Sequence, residues 1–137
     1  LTIVGPRINP CPNCNGIEFL GRIKDKSILA KVYQNSDILV LHSAYEPFGL
    51  VILEAMAFGL PCIGSNTDAM PDIILKNNCG SVVSFGDYES IASETLRIAE
   101  DPELYALYSM SGIKAVESYY NWESVSARFL KVIRSDE

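Results

Sequence analysis

The sequence has little positive charge for its length. Its 137 residues contain 11 lysines and arginines against 17 aspartates and glutamates, which gives a formal net charge of −6. A protein that binds a nucleic-acid backbone needs a cluster of basic residues to neutralise the phosphates. The composition therefore argues against nucleic acid as a partner. Hydrophobic residues make up 48% of the chain, which is enough to form the core of one globular domain.

The sequence also lacks a hydrophobic run that could cross a membrane. Its longest apolar stretch, residues 48–63, is interrupted by Glu54 and contains Gly59 and Pro61, which would break a spanning helix. The N-terminus has neither the charged region nor the cleavage site of a secretory signal peptide, and the first residue is not Met. We therefore expect a cytoplasmic location and a chain that is part of a longer protein.

Histidine and paired cysteine motifs are scarce. Cys11 and Cys14 form one C-x-x-C motif, but Cys62 and Cys79 form no second pair. Two disulfides or one tetrahedral metal site would use all four cysteines, and we favour free, mostly buried thiols in a reducing cytosol over zinc. The sole histidine, His42, is predicted to lie at the end of a strand, where we expect a structural or surface role.

Short apolar strands alternate with helices along the chain. Strands are predicted over residues 1–5, 17–21, 38–41, 62–64 and 81–84, and helices after Asp25, over 50–58, over 70–75, and from Asp87, Asp101 and Asn121. This alternation, with strands that are apolar throughout, indicates a parallel sheet covered by helices on both faces. The sequence therefore predicts an α/β fold: a Rossmann-like, doubly wound parallel sheet in a single domain.

The predicted sheet also indicates where ligands should bind. Ligands of such sheets bind beyond the carboxyl ends of the strands. Here those ends lead into the loops after Gly21, His42, Ser65 and Ser84. The first strand continues as VGPR over residues 4–7, without the G-x-G-x-x-G turn, which argues against a dinucleotide-dependent oxidoreductase.

Two carboxylates, Glu46 and Glu54, flank the start of the predicted helix over 50–58. Gly49 allows close backbone approach, and the free amides at the helix N-terminus suit a phosphate. A ligand with a polyol, a diphosphate and a second polyol in series, such as a nucleotide sugar, fits this arrangement. Paired glutamates at a helix start are also common as surface charges. The apolar neighbours of Glu54 favour a position off the solvated face, where an unpaired carboxylate would be costly.

The segment EPFGLVILEAMAFGLP, residues 46–61, resembles the E-x7-E segment of the retaining glycosyltransferases of family 4, the glycosyl transferases group 1, which have the GT-B architecture. Further segments are similar to the family's pattern in order and spacing: FLGRI at 19–23, VYQNSDILVLHS at 32–43, PDII at 71–74, DPEL at 101–104 and NWE at 121–123. The resemblance covers residues 17–133. It implies that residues 1–137 form the C-terminal domain of such an enzyme, which binds the nucleotide-sugar donor.

The resemblance also implies roles for particular residues. Glu46 would hold hydroxyls of the donor sugar near its reacting carbon and is the predicted catalytic residue, and Glu54 would bind the ribose hydroxyls. The remaining contacts to sugar and phosphate would come from the residues at the helix start, namely Phe48, Gly49, Leu50 and Val51.

A second segment is implied to meet the nucleobase, largely through its backbone. It consists of Gly21, Arg22 and Ile23. A surface cation is an equally open interpretation of Arg22, because a single arginine does not define a site.

The activity implied is transfer of a hexose from a nucleotide diphosphate to an acceptor with retention of configuration, without a metal or other cofactor. The acceptor-binding N-terminal domain, through which peripheral membrane association is also implied, belongs to sequence that this chain does not contain. The chain by itself is therefore expected to be inactive. A non-catalytic nucleotide-sugar binding module of the same fold is the alternative.

Two segments depart from the family pattern. Many relatives have a Gly-Gly pair before Pro-Glu, whereas this sequence has Asp68 and Ala69 within TDAMPD, residues 67–72. An anion beside a phosphate site is electrostatically unfavourable. Where the family has a helix between the first two strands, residues 7–16 are predicted to form a loop that contains the C-x-x-C motif.

Overall fold

The structure is a computed structural model that describes residues 1–6 and 15–134. Contacts within the chain group into two compact units, Leu1–Asn35 and Ser36–Glu137. Cys11 and Cys14, with most of the predicted loop around them, lie outside the described residues.

The N-terminal unit contains strands β1 (Thr2–Val4) and β2 (Glu18–Gly21) and helix α1 (Lys26–Gln34). The two strands pair in parallel. All residues of β1 are exposed, so the expectation of strands covered on both faces is wrong for this strand. The reason is that β1 belongs to a sheet of two strands, which has little surface to bury.

Helix α1 begins at the predicted cap. Asp25 Oδ1 accepts hydrogen bonds from the N–H groups of Ser27, at 2.8 Å, and Ile28. The bond from the Ser27 hydroxyl, at 2.7 Å, and these backbone bonds hold the pKa of the Asp25 carboxyl below its usual range. The prediction of an N-cap at Asp25 is confirmed.

The C-terminal unit contains a three-stranded parallel sheet and most of the helices. Its elements are β3 (Leu39–Leu41), α2 (Leu50–Ala57), β4 (Cys62–Ser65), α3 (Met70–Lys76), β5 (Gly80–Val83), α4 (Tyr88–Glu100), α5 (Pro102–Ala115), a π-helical turn (Val116–Tyr120) and α6 (Trp122–Arg134). The strand order is β3-β4-β5, and central β4 is buried along its whole length. Gly80 lies so close to β4 that a Cβ atom there would fall 1.7 Å from the Cys62 carbonyl oxygen.

Local sequence signals account for most helix ends. Backbone N–H groups of the first turn donate to the three further predicted caps as expected, namely Asp87, Asp101 and Asn121. Helix α2 ends in a left-handed Gly59, with the Leu60 N–H donating to the Ala55 carbonyl at 3.0 Å. The sequence did not predict the π-helical turn, which directly continues α5.

The core of the C-terminal unit lies on both sides of β4. On one side Ile63, Val83, Ile98 and Tyr108 form a buried cluster. Two buried cysteines, Cys62 and Cys79, are free thiols, as predicted. Burial raises the pKa of both thiols, that of Cys79 to about 11.

Candidate functional site

The loops that follow β3, β4 and β5 contact one another. The Thr67 hydroxyl, after β4, donates to the Ser43 carbonyl, after β3, at 3.1 Å. The Gly86 N–H, after β5, donates to Nε2 of His42 at 2.8 Å. Three of the four loops predicted to carry chemistry therefore meet at one edge of the sheet of the C-terminal unit. The fourth, after Gly21, belongs to the N-terminal unit.

His42 connects all three strands of that sheet. Because Nε2 accepts from Gly86, the neutral ring carries its proton on Nδ1, which lies 3.2 Å from the Ser65 hydroxyl. The ring stacks on Phe85 with centroids 4.9 Å apart and meets the Tyr88 ring edge-on at 5.5 Å. These contacts are those of a structural residue, as the sequence predicted.

The loop of residues 43–49, which we name the Glu46 loop, carries the predicted catalytic carboxylate to the start of α2. Glu46 is partly buried, and its Oε1 accepts a hydrogen bond from the Gly49 N–H at 3.1 Å. Gly49 caps the helix with a left-handed φ of 73°, which places its N–H toward Glu46. The carboxylate thus occupies the position at a helix N-terminus that attracts anions.

The backbone of the Glu46 loop is held by Asp68. Oδ2 of Asp68 accepts a hydrogen bond from the Glu46 N–H at 2.9 Å. The sequence identified Asp68 only as an anion where relatives have glycine. One signal could have found the contact: Glu46 follows β3 and Asp68 follows β4, and these strands are predicted neighbours whose ends meet at the same sheet edge.

Helix α2 exposes one face along its length. Leu50 is 63% exposed and Val51 is 39% exposed. Glu54 is also exposed and lies on the same face, four residues after Leu50 and three after Val51. The prediction that Glu54 lies off the solvated face is therefore wrong. The apolar residues around it in the sequence divide between this exposed face and the buried one, which consists of Ile52, Ala55 and Met56.

Phe48, the remaining predicted residue of this segment, is also exposed. The segment 46–54 therefore presents a carboxylate at each end with apolar side chains and a helix N-terminus between them. Such a surface can accept hydrogen bonds from hydroxyl groups at both ends and can offer backbone N–H groups to an anion.

The predicted nucleobase segment lies in the N-terminal unit. Gly21 ends β2 with a left-handed φ of 67°, and its carbonyl accepts from the Gly5 N–H at 2.9 Å. Arg22 is exposed and Ile23 is partly buried. The exposure of Arg22 agrees with both interpretations of this residue.

Two further structural features, metal-ligand clusters and membrane-spanning helices, can be described for residues 1–6 and 15–134. Within them, no three or more histidine, cysteine, aspartate or glutamate side chains are grouped so that they could hold a metal ion. None of the helices in the same part of the chain combines the length and the apolar character needed to cross a bilayer.

The chain is similar to known proteins in both sequence and fold. The sequence profile described as glycosyl transferases group 1 matches residues 8–115. N-acetyl-alpha-D-glucosaminyl L-malate synthase of Bacillus anthracis is 30% identical over 123 residues, which are 87% of this chain and 32% of that protein. The chain thus spans about a third of the length of this curated relative.

Solved structures show the same fold. Sucrose-phosphate synthase from Thermosynechococcus elongatus is similar with a TM-score of 0.75 and 32% identity, over 87% of this chain and 30% of that one. The Anabaena protein HepE, solved in complex with UDP-glucose, is similar with a TM-score of 0.80 and 19% identity, over 98% of this chain and 40% of that one. The predicted α/β, Rossmann-like fold of the C-terminal GT-B domain is confirmed. Since the family profile matches most of the chain, the chain belongs to the glycosyl transferases group 1 family.

Proposed function

We propose that residues 1–137 are the donor-binding domain of a retaining glycosyltransferase that transfers a hexose from a nucleotide diphosphate sugar. The observation that carries the proposal is the bond from the Gly49 N–H to Glu46 Oε1 at the start of α2. It joins a carboxylate, which can hold sugar hydroxyls, to a helix N-terminus, which can hold a phosphate. A structural neighbour of this chain was solved with UDP-glucose, which supports a nucleotide sugar as the ligand class.

The Glu46 carboxylate has two roles in this proposal, one without donor and one with donor bound. Without donor it occupies the anion position at the Gly49 N–H. When donor binds, the sugar hydroxyls become partners of the carboxylate, and the Gly49 N–H turns to a phosphate oxygen. Glu46 then lies at the reacting end of the sugar, and the amides of Phe48 and Leu50 extend the contact to sugar and phosphate.

Glu54 serves the other end of the donor. Its exposed position on α2 supports this assignment, because a carboxylate in contact with solvent can accept hydrogen bonds from both ribose hydroxyls. The exposed side chains of Leu50 and Val51 on the same face offer an apolar surface for the sugar ring to cover. Gly21, Arg22 and Ile23 are assigned to the nucleobase.

The reaction breaks the bond between the anomeric carbon and the diphosphate oxygen, and the diphosphate leaves with the electron pair. The acceptor oxygen forms the new bond on the same face of the sugar, and its proton passes to the oxygen of the leaving diphosphate. Helix amides stabilise the leaving charge, and we assign no metal to this step. In the parent protein, an N-terminal domain binds the acceptor and offers the contact to a membrane surface, and a segment ahead of the first strand supplies further cations to the diphosphate.

The test is a transfer assay on the full-length protein that contains this chain. It uses UDP-, GDP- and ADP-linked hexoses with a panel of sugar and lipid-linked acceptors, and NMR of the product reports the anomeric configuration. Glu46→Gln is expected to lower kcat about a hundredfold, as loss of a group at the reacting centre does. Glu89→Gln, an exposed glutamate in the first turn of α4, is the control and should be unchanged.

The outcomes separate the alternatives. Retained configuration together with loss of turnover in Glu46→Gln supports the proposal. Binding of a nucleotide sugar without transfer to any acceptor would instead favour a non-catalytic binding module. An inverted product, or a Glu46→Gln variant that matches the control, would contradict the assigned reaction.

A further inference from the structure

We propose that Asp68 is a positioning residue that fixes the Glu46 loop for donor binding. The observation is the 2.9 Å hydrogen bond from the Glu46 N–H to Asp68 Oδ2, which joins residues 22 positions apart. The inference rests on the proposed function, since it concerns the placement of the carboxylate that meets the donor sugar. Asp68 acts through the backbone of the loop, because its hydrogen bond is to the Glu46 N–H.

The loop is held at a second point by the neighbour of Asp68. The Thr67 hydroxyl donates to the Ser43 carbonyl at 3.1 Å. Residues 67 and 68 therefore hydrogen-bond to the Glu46 loop at two points, Ser43 and Glu46. Between these points the Ser43 hydroxyl donates to the Tyr45 carbonyl at 2.8 Å. Hydrogen bonds to residues 67 and 68 therefore hold the loop backbone both before Tyr45, at Ser43, and after it, at Glu46.

The backbone of Asp68 indicates that its side chain compensates a local cost. Its φ of 46° lies in the left-handed region, which glycine adopts freely and which is unfavourable for a residue with a Cβ atom. By resemblance, many relatives have glycine in this loop, so the conformation alone does not require aspartate. Aspartate accepts the left-handed conformation better than most residues and adds a carboxylate that the Glu46 N–H can use.

The charge of Asp68 is compatible with a site for an anionic donor because of this bond. A carboxylate that accepts from a backbone N–H makes a charge-assisted hydrogen bond, which is about twice as strong as a neutral one. The same carboxylate would repel a phosphate if it were directed into the site. In the structure its Oδ2 accepts from the loop backbone instead, so an aspartate at the position where relatives have glycine is compatible with a phosphate site.

The test compares Asp68→Gly with Asp68→Asn in the full-length protein. Glycine keeps the left-handed backbone without strain and removes the acceptor, whereas asparagine keeps both the conformation and an oxygen acceptor. Asn78→Gly is the matched control, because Asn78 is the other described non-glycine residue with positive φ, 49°, and follows the C-cap of α3 rather than belonging to the Glu46 loop. Hydrogen exchange of the Glu46 amide, followed by NMR, is measured together with affinity for the nucleotide sugar and for the nucleoside diphosphate alone.

We expect Asp68→Gly to speed exchange of the Glu46 amide and to weaken nucleotide-sugar binding, each about tenfold. Binding of the nucleoside diphosphate should stay unchanged, since it lacks the sugar that Glu46 holds. Asn78→Gly should stay within about twofold of the wild type, and Asp68→Asn, which keeps an oxygen acceptor but loses its charge, should fall between the wild type and Asp68→Gly.

Equal exchange of the Glu46 amide in the wild type and Asp68→Gly would overturn the proposal. So would equal weakening of sugar-linked and sugar-free nucleotides, which indicates a structural role only. Wild-type protein that binds no nucleotide sugar would refute the proposed function, and the amide exchange would still decide whether Asp68 holds the Glu46 loop. If Asp68→Gly fails to fold, Thr67→Val, which removes the bond to Ser43, is expected to speed exchange in the same loop.

Discussion

The carboxylate of Glu46 and the backbone amide of Gly49 form a hydrogen bond of 3.1 Å that closes the loop at the start of α2. The bond depends on the left-handed conformation of Gly49, whose φ is 73°. A Cβ atom at Gly49 would also be crowded, since it would lie 3.1 Å from Ile52 Cδ1, whereas Glu46 Cγ at 3.8 Å is at an ordinary van der Waals distance.

Gly49→Ala should therefore disturb both stability and donor binding. The left-handed conformation alone is expected to lower the free energy of unfolding by roughly 1–2 kcal/mol. The new methyl group would crowd Ile52, and the resulting shift of the residue 49 backbone should move its N–H away from Glu46 Oε1 and weaken binding of the nucleotide sugar. Denaturant unfolding and a binding titration measure the two effects.

Gly16→Ala is the matched control for strain. Gly16 has a φ of 83°, and a Cβ atom there would have no neighbour within 4 Å among the residues that the structure describes. It should lose stability by a similar amount but keep donor affinity. Equal affinity of Gly49→Ala and Gly16→Ala would show that the close contact at Gly49 has no effect on Glu46.

His42→Phe should lower the free energy of unfolding by about 0.5–1.5 kcal/mol. Phenylalanine can keep the stack on Phe85, but it leaves the Gly86 N–H without its acceptor. Denaturant unfolding at neutral pH measures the loss. Tyr88→Phe, which keeps a ring beside His42, should change stability by less than about 0.5 kcal/mol. A His42→Phe variant as stable as wild type would contradict the structural role of this histidine.

Cys62 and Cys79 should resist alkylation in the folded protein. Burial raises the pKa of Cys79 to about 11, so at pH 8 only about one thiol in a thousand is ionised, and the thiolate is the reactive form. Labelling should increase as the pH rises toward 11 and should be complete at pH 8 in guanidinium chloride. Peptide mass spectrometry after iodoacetamide treatment measures it. Equal labelling rates in folded and unfolded protein would contradict the burial of these thiols.

Transfer should survive removal of divalent metal ions. The proposed mechanism assigns the leaving diphosphate to helix amides and to cations of the parent protein. Activity of the full-length protein is therefore expected to stay within about twofold after dialysis against EDTA. Loss of activity that Mg²⁺ or Mn²⁺ restores would show that a metal ion supports the leaving group.

Local chemistry made much of the fold predictable. Asp25, Asp87 and Asp101 accept backbone hydrogen bonds at the helix starts where the sequence placed them. A cap needs only the residues that follow it within one turn, so its signal is contained in a short segment. Each strand and helix likewise has a periodicity that is contained in a short segment, and their alternation predicted the parallel sheet.

The parts that could not be predicted depend on contacts between distant segments. Glu54 has apolar neighbours in the sequence, but which face of α2 is buried depends on the elements that pack against Ile52 and Met56. The contact of Asp68 with the Glu46 backbone joins two loops that follow different strands. Sequence patterns show that such loops share an edge of the sheet, but not which atoms meet there.

The central claim is that the segment from Glu46 to Glu54 binds a nucleotide sugar. Calorimetric titration of the full-length protein with UDP-, GDP- and ADP-linked hexoses, for wild type and Glu54→Gln side by side, tests it most directly. We predict that one of the three donors binds the wild type and that Glu54→Gln weakens that binding about tenfold, as loss of a charged hydrogen-bond acceptor does. Absence of heat with all three donors at millimolar concentration, or equal affinity of the two proteins, would contradict the account.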